Sequence, residues 1–230
     1  MKSLADLDDW LVLAVNYPAG RSPLLDKIVF DLADSTLLKG GLFLAFYWWL
    51  WFRGDARGES THAPDDRRAV VVALVGGTIA AVVSRLLQVG LPFHQRPLHT
   101  PSLPLRLPVG VDAEMLNTFS SFPSDHAVLF FALCVPMWTL SRWLGVAAGL
   151  WTLFVICLPR VYLGYHYPSD VLAGGALGAA SALLLWEVRP LKSRIDALSD
   201  WLGGYWDRAL ARGAELVLSL IHISEPTRPY

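Results

Sequence analysis

Five apolar blocks, each long enough or almost long enough to cross a lipid bilayer, constrain this chain more than any other feature. They cover residues 37–52, 69–93, 127–143, 144–158 and 171–188. A helix needs about 20 apolar residues to cross the hydrocarbon core, and fewer where its ends are ragged. Since backbone groups inside a bilayer must be hydrogen-bonded within the chain, the blocks predict an all-α fold, a polytopic bundle of about five transmembrane helices.

The composition excludes several other classes of protein. Of the 230 residues, 54% are hydrophobic and 17% are charged, whereas a soluble domain has about 25% charged residues. The net charge of −1 gives no indication of a nucleic-acid partner. Cys134 and Cys157 both lie inside apolar blocks, and we expect them to be core residues rather than a disulfide or a metal site.

The chain divides into four segments by its composition. Residues 1–36 mix apolar side chains with acidic ones, which favours amphipathic helices at the membrane interface, with an additional tilted span over 10–36 as the alternative. Residues 37–190 form the predicted transmembrane core, and 191–217 a cytoplasmic amphipathic segment. Residues 218–230 resemble the conceptual translation of a sequencing adapter, so we expect an artefact there and leave them out of the argument.

The loops predict which face of the bundle meets the cytoplasm. Basic residues gather in the loops at one end, namely Arg53, Arg57, Arg67, Arg68, Arg142, Arg189, Lys192 and Arg194. An excess of Lys and Arg marks the cytoplasmic side of a membrane protein. The sequence therefore predicts a multi-pass membrane protein whose opposite end faces away from the cytoplasm.

Six polar residues with catalytic potential fall at that opposite end. They are Arg96, Ser124, His126, Arg160, His166 and Asp170. Ionisable groups at membrane depth are costly and tend to mark function. Two histidines, two arginines and a carboxylate are the groups needed to hold a phosphate and attack it. This interpretation needs no metal ion and no cofactor, because the arginines supply the positive charge.

The local sequence around these residues indicates how they would act. Phe122-Pro123-Ser124-Asp125 and Tyr167-Pro168-Ser169-Asp170 each open an apolar helix, and a helix N-terminus with proline in its first position can bind an anion. For Pro168-Ser169 we favour a plain helix start. Asp170 can accept from one ring nitrogen of His166 and leave the other free to attack. The alternative is that Asp170 is a helix-terminal charge and His166 an interfacial polar residue.

These residues carry a resemblance to a known family. The chain resembles the type-2 phosphatidic acid phosphatase superfamily, whose motifs are Lys-x6-Arg-Pro, Pro-Ser-Gly-His and Ser-Arg-x5-His-x3-Asp. The matching segments are Arg96-Pro97, Pro123-Ser124-Asp125-His126 and Pro159-Arg160-x5-His166-x3-Asp170. Three positions depart from the motifs: Val89 replaces the lysine, Asp125 the glycine and Pro159 the serine. The Asp125 variant resembles the bacterial undecaprenyl-diphosphatase branch, which implies a bacterial inner membrane with the active site facing the periplasm or the exterior. Arg85 and Gln95 are candidates to replace the lysine.

The resemblance implies a role for each matched residue. His166 would attack phosphorus and form a phosphohistidine, and Asp170 would orient it. His126 would protonate the leaving oxygen and then activate water. Arg96, Arg160 and Ser124 would hold the phosphate oxygens.

Several functions are compatible with these roles. A phosphatase acting on undecaprenyl diphosphate is favoured, with a phosphatidylglycerophosphate or phosphatidate phosphatase, or a lipid phosphotransferase, as alternatives. A haloperoxidase is disfavoured because that relative is soluble. A transporter or scaffold with a degenerate site is the hypothesis from a different class, and the missing lysine is its only support. In each case the partners are a membrane lipid and the bilayer, and the sequence leaves the oligomeric state open.

Overall fold

The computed structural model describes residues 4–57, 63–108, 110–112, 114 and 116–223, and these residues contain helices and loops but no strand. The helices are α1 (Leu4–Asn16), α2 (Pro23–Asp34), α3 (Leu42–Arg57), α4 (Ala63–Gly90), α5 (Asp125–Leu140), α6 (Arg142–Trp151), α7 (Leu158–Tyr162), α8 (Pro168–Glu187) and α9 (Arg189–Ile223). A π-helical turn, Leu37–Gly41, precedes α3, and another, Thr152–Cys157, joins α6 to α7. The predicted all-α class is confirmed.

Three helical segments are long and apolar enough to cross a membrane, judged by length and composition. They are Asp65–Gly90, Arg142–Tyr162 and Pro168–Glu187. The helix α5 is also apolar but has only 16 residues, which at 1.5 Å per residue gives a length of about 24 Å. The block at 37–52 is divided between a π-helical turn and α3. In the described part of the chain, three of the five predicted spans therefore meet the length criterion. That α3 and α5 also cross the membrane remains a prediction.

A stripe of small residues on α8 brings this helix unusually close to α5 at the centre of the bundle. A Cβ atom added to Gly178 would lie 2.0 Å from the Val128 carbonyl oxygen, and one added to Gly174 would lie 2.7 Å from the Ser124 carbonyl oxygen. Small residues allow such close backbone contact between membrane helices. Because of this contact, the first turns of α5 and α8 lie side by side, and the Ser124 amide donates to the Asp170 carbonyl at 3.2 Å.

The two N-terminal helices pack against α7. The Asn16 side chain is buried and donates to the Tyr162 carbonyl oxygen at 2.9 Å. The Tyr162 hydroxyl in turn donates to the buried Asp26 carboxylate at 2.5 Å. Residues 4–34 are thus joined to the core beside the end of α7, while their predicted position at the membrane interface stays a prediction.

At the other end of the bundle, α9 packs along α4 through ion pairs. Arg67 contacts Asp207 at 2.8 Å, and Arg68 contacts Asp196 at 3.2 Å. The helix α9 continues through position 217 without a break to Ile223. The predicted boundary at 217/218 therefore falls inside a helix, and residues 224–230 of the adapter-like segment lie outside the described residues.

Candidate active site

A cavity of about 380 Å³ opens at the end of the bundle where α5 and α8 begin. The cationic and histidine side chains in its wall are Lys39, Arg85, Arg96, His126, Arg160 and His166. Four of these, Arg96, His126, Arg160 and His166, are predicted catalytic or phosphate-binding residues, and they come from separate helices and loops. Asp170 and Ser124 are fully buried next to this wall. Residues far apart in the sequence are thus brought to one place.

His166 lies in the turn between α7 and α8, with only 6% of its surface exposed. Gly164 permits this turn because its φ of +73° is in the left-handed region, where a side chain is disfavoured. The Nδ1 atom of His166 lies 2.9 Å from the Ser121 carbonyl oxygen. A carbonyl can only accept, so Nδ1 carries the proton and Nε2 keeps its lone pair. Burial lowers the pKa of His166, against the opposing effect of Asp170, so the ring is neutral at pH 7.

Asp170 lies behind His166 rather than in the cavity wall. Its Oδ2 atom is 3.8 Å from Nδ1 of His166, which is too long for a hydrogen bond. The same oxygen accepts from the Ser121 hydroxyl at 2.5 Å and from the Tyr167 amide at 2.8 Å. The expectation that Asp170 itself accepts from the ring is therefore not met, because the Ser121 carbonyl occupies that position. Asp170 acts on His166 through its charge and through Ser121, and it also caps α8.

Three backbone carbonyls hold the guanidinium group of Arg96. It donates to the carbonyl oxygens of Tyr165 at 2.6 Å, Phe119 at 3.2 Å and Ser120 at 3.2 Å. Its Nη1 atom is 3.5 Å from Nε2 of His166. Arginine is always charged in proteins, so a positive charge is fixed beside the nitrogen that has the lone pair. This arrangement suits a phosphoryl group that meets both side chains.

His126 and Arg160 form a second pair across the cavity. Nη2 of Arg160 lies 2.6 Å from Nε2 of His126. Arginine has no acceptor, so it donates and Nε2 of His126 is unprotonated in this state. Arg160 is held in place by the carbonyl oxygens of Ile156 at 3.2 Å and Ala33 at 3.3 Å. For His126 to act as an acid, bound phosphate oxygens must first draw the Arg160 donor away from Nε2.

Ser124 is the N-cap residue of α5, so Pro123 lies before the helix rather than at its first position, in contrast to Pro168 in α8. The sequence-based expectation of a proline at the first position of both helices is thus wrong for α5. Among the described residues, the buried Ser124 hydroxyl has no hydrogen-bond partner. An unpaired buried hydroxyl costs free energy, and a phosphate oxygen would supply the missing partner.

Val89 occupies the position of the family's lysine. Its side chain is 85% exposed and does not line the cavity. One helical turn earlier, Arg85 lines the cavity. It lies 3.8 Å from the Asp125 carboxylate, which also accepts from Gln88 at 2.7 Å. Gln95 is exposed and donates to the His99 carbonyl oxygen at 2.5 Å. Of the two candidate replacements, Arg85 is therefore the one at the cavity, and its contact with Asp125 places a cation beside this carboxylate.

Sequence reasoning did not assign three residues that the structure places at the site. Ser121 connects His166 to Asp170, and its hydroxyl carries no pattern that would have identified it. His94 lies 3.4 Å from Asp170, and this contact raises the pKa of His94. Lys39 lines the cavity. It is also the only charged residue in the block at 37–52, and an isolated charge in an apolar block indicates function.

The Ser121 contacts lead to a testable prediction. We expect Ser121→Ala to lower kcat by about 10- to 100-fold, because the hydrogen bond to a buried carboxylate that it removes contributes about 1.5–3 kcal/mol. Ser121→Thr keeps the hydroxyl and serves as the matched variant that should retain most of the activity. The measurement is the rate of phosphate release by detergent-purified protein. Equal rates for Ser121→Ala and the unmodified chain would contradict a positioning role.

The sequence has relatives among characterised proteins. The profile of the PAP2 superfamily matches residues 92–194. The bacitracin transport permease protein BcrC of Bacillus licheniformis is 28% identical over 174 residues, 75% of each chain. The undecaprenyl-diphosphatase BcrC of Bacillus subtilis is 26% identical over 69% of this chain and 72% of its own. The decaprenylphosphoryl-5-phosphoribose phosphatase of Mycobacterium tuberculosis is 32% identical over 65% of this chain and 70% of its own.

The fold is also similar to a solved structure. The PAP2-type phosphatidylglycerolphosphate phosphatase of Bacillus subtilis superposes with a TM-score of 0.56 over 83% of this chain and 88% of that one, at 17% sequence identity. At this identity the similarity concerns the fold alone. Together with the sequence relatives, it shows that the chain is a multi-pass membrane phosphatase that belongs to the PAP2 superfamily.

Proposed function

We propose that this protein hydrolyses a lipid diphosphate, with undecaprenyl diphosphate as the favoured substrate, through a phosphohistidine at His166. The observation that carries the proposal is the state of the His166 ring. Its Nδ1 proton is held by the Ser121 carbonyl at 2.9 Å, and its Nε2 lone pair lies beside Arg96 in a cationic cavity. A neutral imidazole with one nitrogen fixed and the other free is prepared for nucleophilic attack.

In the first step, Nε2 of His166 attacks the terminal phosphorus. The P–N bond forms as the bond from phosphorus to the bridging oxygen breaks, and the electron pair of that bond goes to the oxygen. His126 gives its proton to this leaving oxygen. Arg96 and Arg160 hold the remaining oxygens of the transferring group, and their fixed charges stabilise the transition state.

In the second step, His126 removes a proton from a water molecule that attacks the phosphohistidine. The P–O bond forms, the P–N bond breaks, and the electron pair returns to Nε2 of His166. In the structure Nε2 of His126 accepts from Arg160 at 2.6 Å, so His126 must take up a proton from solvent, once the substrate's phosphate oxygens draw Arg160 away, before it can act in the first step. The first step then leaves His126 unprotonated, and the proton taken from water in the second step restores it. An unprotonated His126 is the form that this second step requires.

The choice of substrate and the orientation rest on two further arguments. The Asp125 variant of the second motif resembles the undecaprenyl-diphosphatase branch, and the similar BcrC of Bacillus subtilis carries that activity in its name. The basic loops at the opposite end of the bundle support an active site on the extracytoplasmic face of a bacterial inner membrane.

The test compares phosphate release from undecaprenyl diphosphate and from phosphatidate by detergent-purified protein, with excess chelator present. We expect faster release from the diphosphate, unaffected by the chelator, because Arg96 and Arg160 supply the positive charge within the site. Preferred release from phosphatidate would replace the proposed substrate by a glycerolipid monophosphate. If the diphosphate is consumed, no free phosphate is released and a new phosphorylated lipid forms, the protein is a transferase.

A further inference from the structure

Lys39 enters the cavity from a part of the chain that lies outside the family motifs. It belongs to the π-helical turn Leu37–Gly41 before α3, and its side chain lines the cavity. Its Nζ atom donates to the Ala33 carbonyl oxygen at 2.8 Å. Nη2 of Arg160 donates to the same oxygen at 3.3 Å and to His126 at 2.6 Å. The ammonium group therefore lies on the side of the cavity that holds His126 and Arg160.

The charges around Lys39 differ from those around Arg85, the other cation outside the motifs. Arg85 lies 3.8 Å from the Asp125 carboxylate. Within the described residues, by contrast, no ion pair joins Lys39 or Arg160 to a carboxylate, although the exposed Asp34 also lines the cavity. Two cations that share one neutral carbonyl repel each other. An anion that contacts both would remove this repulsion.

The proposed role of His126 indicates which part of the substrate contacts Lys39. The leaving oxygen must lie within reach of the group that protonates it, so the leaving group occupies the side of the cavity formed by His126 and Arg160. For a diphosphate substrate the leaving group is itself a phosphate monoester, and its negative charge increases as the bond breaks. For a monophosphate substrate the leaving group is a neutral alcohol. A cation on this side assists the first reaction far more than the second.

We propose that Lys39 binds the leaving phosphate of a diphosphate lipid and thereby selects diphosphates over monophosphates. This inference rests on the phosphohistidine mechanism proposed above. The ammonium of lysine is a compact charge with three donors. It can contact the leaving phosphate while Arg160 contacts the bridging region, and Arg96 stays with the transferring group beside His166.

The experiment compares kcat/KM for farnesyl diphosphate and farnesyl monophosphate in detergent micelles. Lys39→Met is expected to lower kcat/KM for the diphosphate by about 10- to 100-fold, the range for a lost hydrogen bond to a charged group. The monophosphate value should change by less than about threefold, because its leaving group carries no charge for Lys39 to meet. Lys39→Arg should retain most of the diphosphate activity. The matched control is Lys27→Met on α2, where Lys27 is an exposed side chain paired with Asp31.

The ratio of the two substrates separates selectivity from structural damage. An equal loss on both substrates would overturn the proposal, because Lys39 would then serve the transferring phosphoryl group or the fold. An unchanged diphosphate rate in Lys39→Met would overturn it as well.

A binding measurement distinguishes failure of this inference from failure of the proposed function. In His166→Asn protein, the dissociation constants of both lipids are measured with and without Lys39→Met. We expect Lys39→Met to weaken binding of the diphosphate by at least about 10-fold and to leave binding of the monophosphate unchanged. If the unmodified chain hydrolyses neither lipid but this difference persists, the hydrolytic mechanism is wrong and the diphosphate site stands. If the difference is absent, the site is wrong, whatever the hydrolysis rates.

Discussion

His166→Asn is expected to lower the rate of phosphate release by about 10⁴-fold or more, the scale seen when an enzymatic nucleophile is removed. Asparagine keeps a polar group near the Ser121 carbonyl but has no ring nitrogen with a lone pair directed at Arg96. The neighbouring contacts of Arg96 to three carbonyls do not involve His166 and should persist. The variant should therefore fold, bind the lipid and fail to react.

The measurement is phosphate release from undecaprenyl diphosphate, with the thermal unfolding midpoint recorded in parallel. The matched control is His99→Asn, since His99 follows Arg96 by three positions and does not line the cavity. When the protein is denatured without acid, part of the unmodified chain should carry covalently bound labelled phosphate. The label should be absent from His166→Asn. A variant that keeps more than about a tenth of the activity would exclude His166 as the nucleophile.

His126→Gln is expected to lower turnover of the lipid diphosphate by about 10²- to 10⁴-fold, the contribution of general acid–base catalysis. Glutamine can still accept a hydrogen bond from Arg160, but it can neither give nor take a proton at neutral pH. Because His126 is proposed to act in both steps, the two steps should respond differently to the leaving group. An activated aryl phosphate needs no proton on its leaving oxygen, so its first step should be much less affected.

This difference gives a kinetic signature. With the aryl ester, His126→Gln should release one equivalent of the phenol in a burst and then stop at the phosphohistidine, because no base activates the water. The unmodified chain should turn over continuously, with only a small steady-state fraction held as the phosphohistidine. His94→Gln is the comparison variant, since His94 contacts Asp170 rather than Arg160. Equal effects of His126→Gln on both substrates, without a burst, would remove the proton-transfer role and leave His126 as a binding residue.

Much of the site was predictable because its residues are tied to helix ends. Arg96 follows the end of α4, His126 lies in the first turn of α5, and Arg160 lies near the end of α7. Apolar blocks fix where helices run, and alternating helix directions then place these ends on one side of the bundle. Gly174 and Gly178 allow the close contact of α8 with α5, because only a missing Cβ leaves room for it.

The hydrogen-bond partners inside the site were not predictable in the same way. The spacing of His166 and Asp170 suggested a direct bond, yet Nδ1 of His166 meets the Ser121 carbonyl. Ser121 belongs to the long loop before α5, and it is held there by hydrogen bonds to the His94 carbonyl oxygen and to the Asp170 carboxylate. Local spacing carries no information about which carbonyl a loop presents to a side chain.

The sequence by itself determined the helical membrane class and the grouping of the candidate site residues at one end of the bundle, because these follow from hydropathy and from motif positions along helices. Only the tertiary structure decided that Ser121 fixes the tautomer of His166 and that Lys39 joins Arg160 at the Ala33 carbonyl. The contacts between Ser121 and His166 and between Ala33 and Arg160 join segments more than 40 residues apart. They depend on the packing of whole helices, and no local pattern encodes that packing.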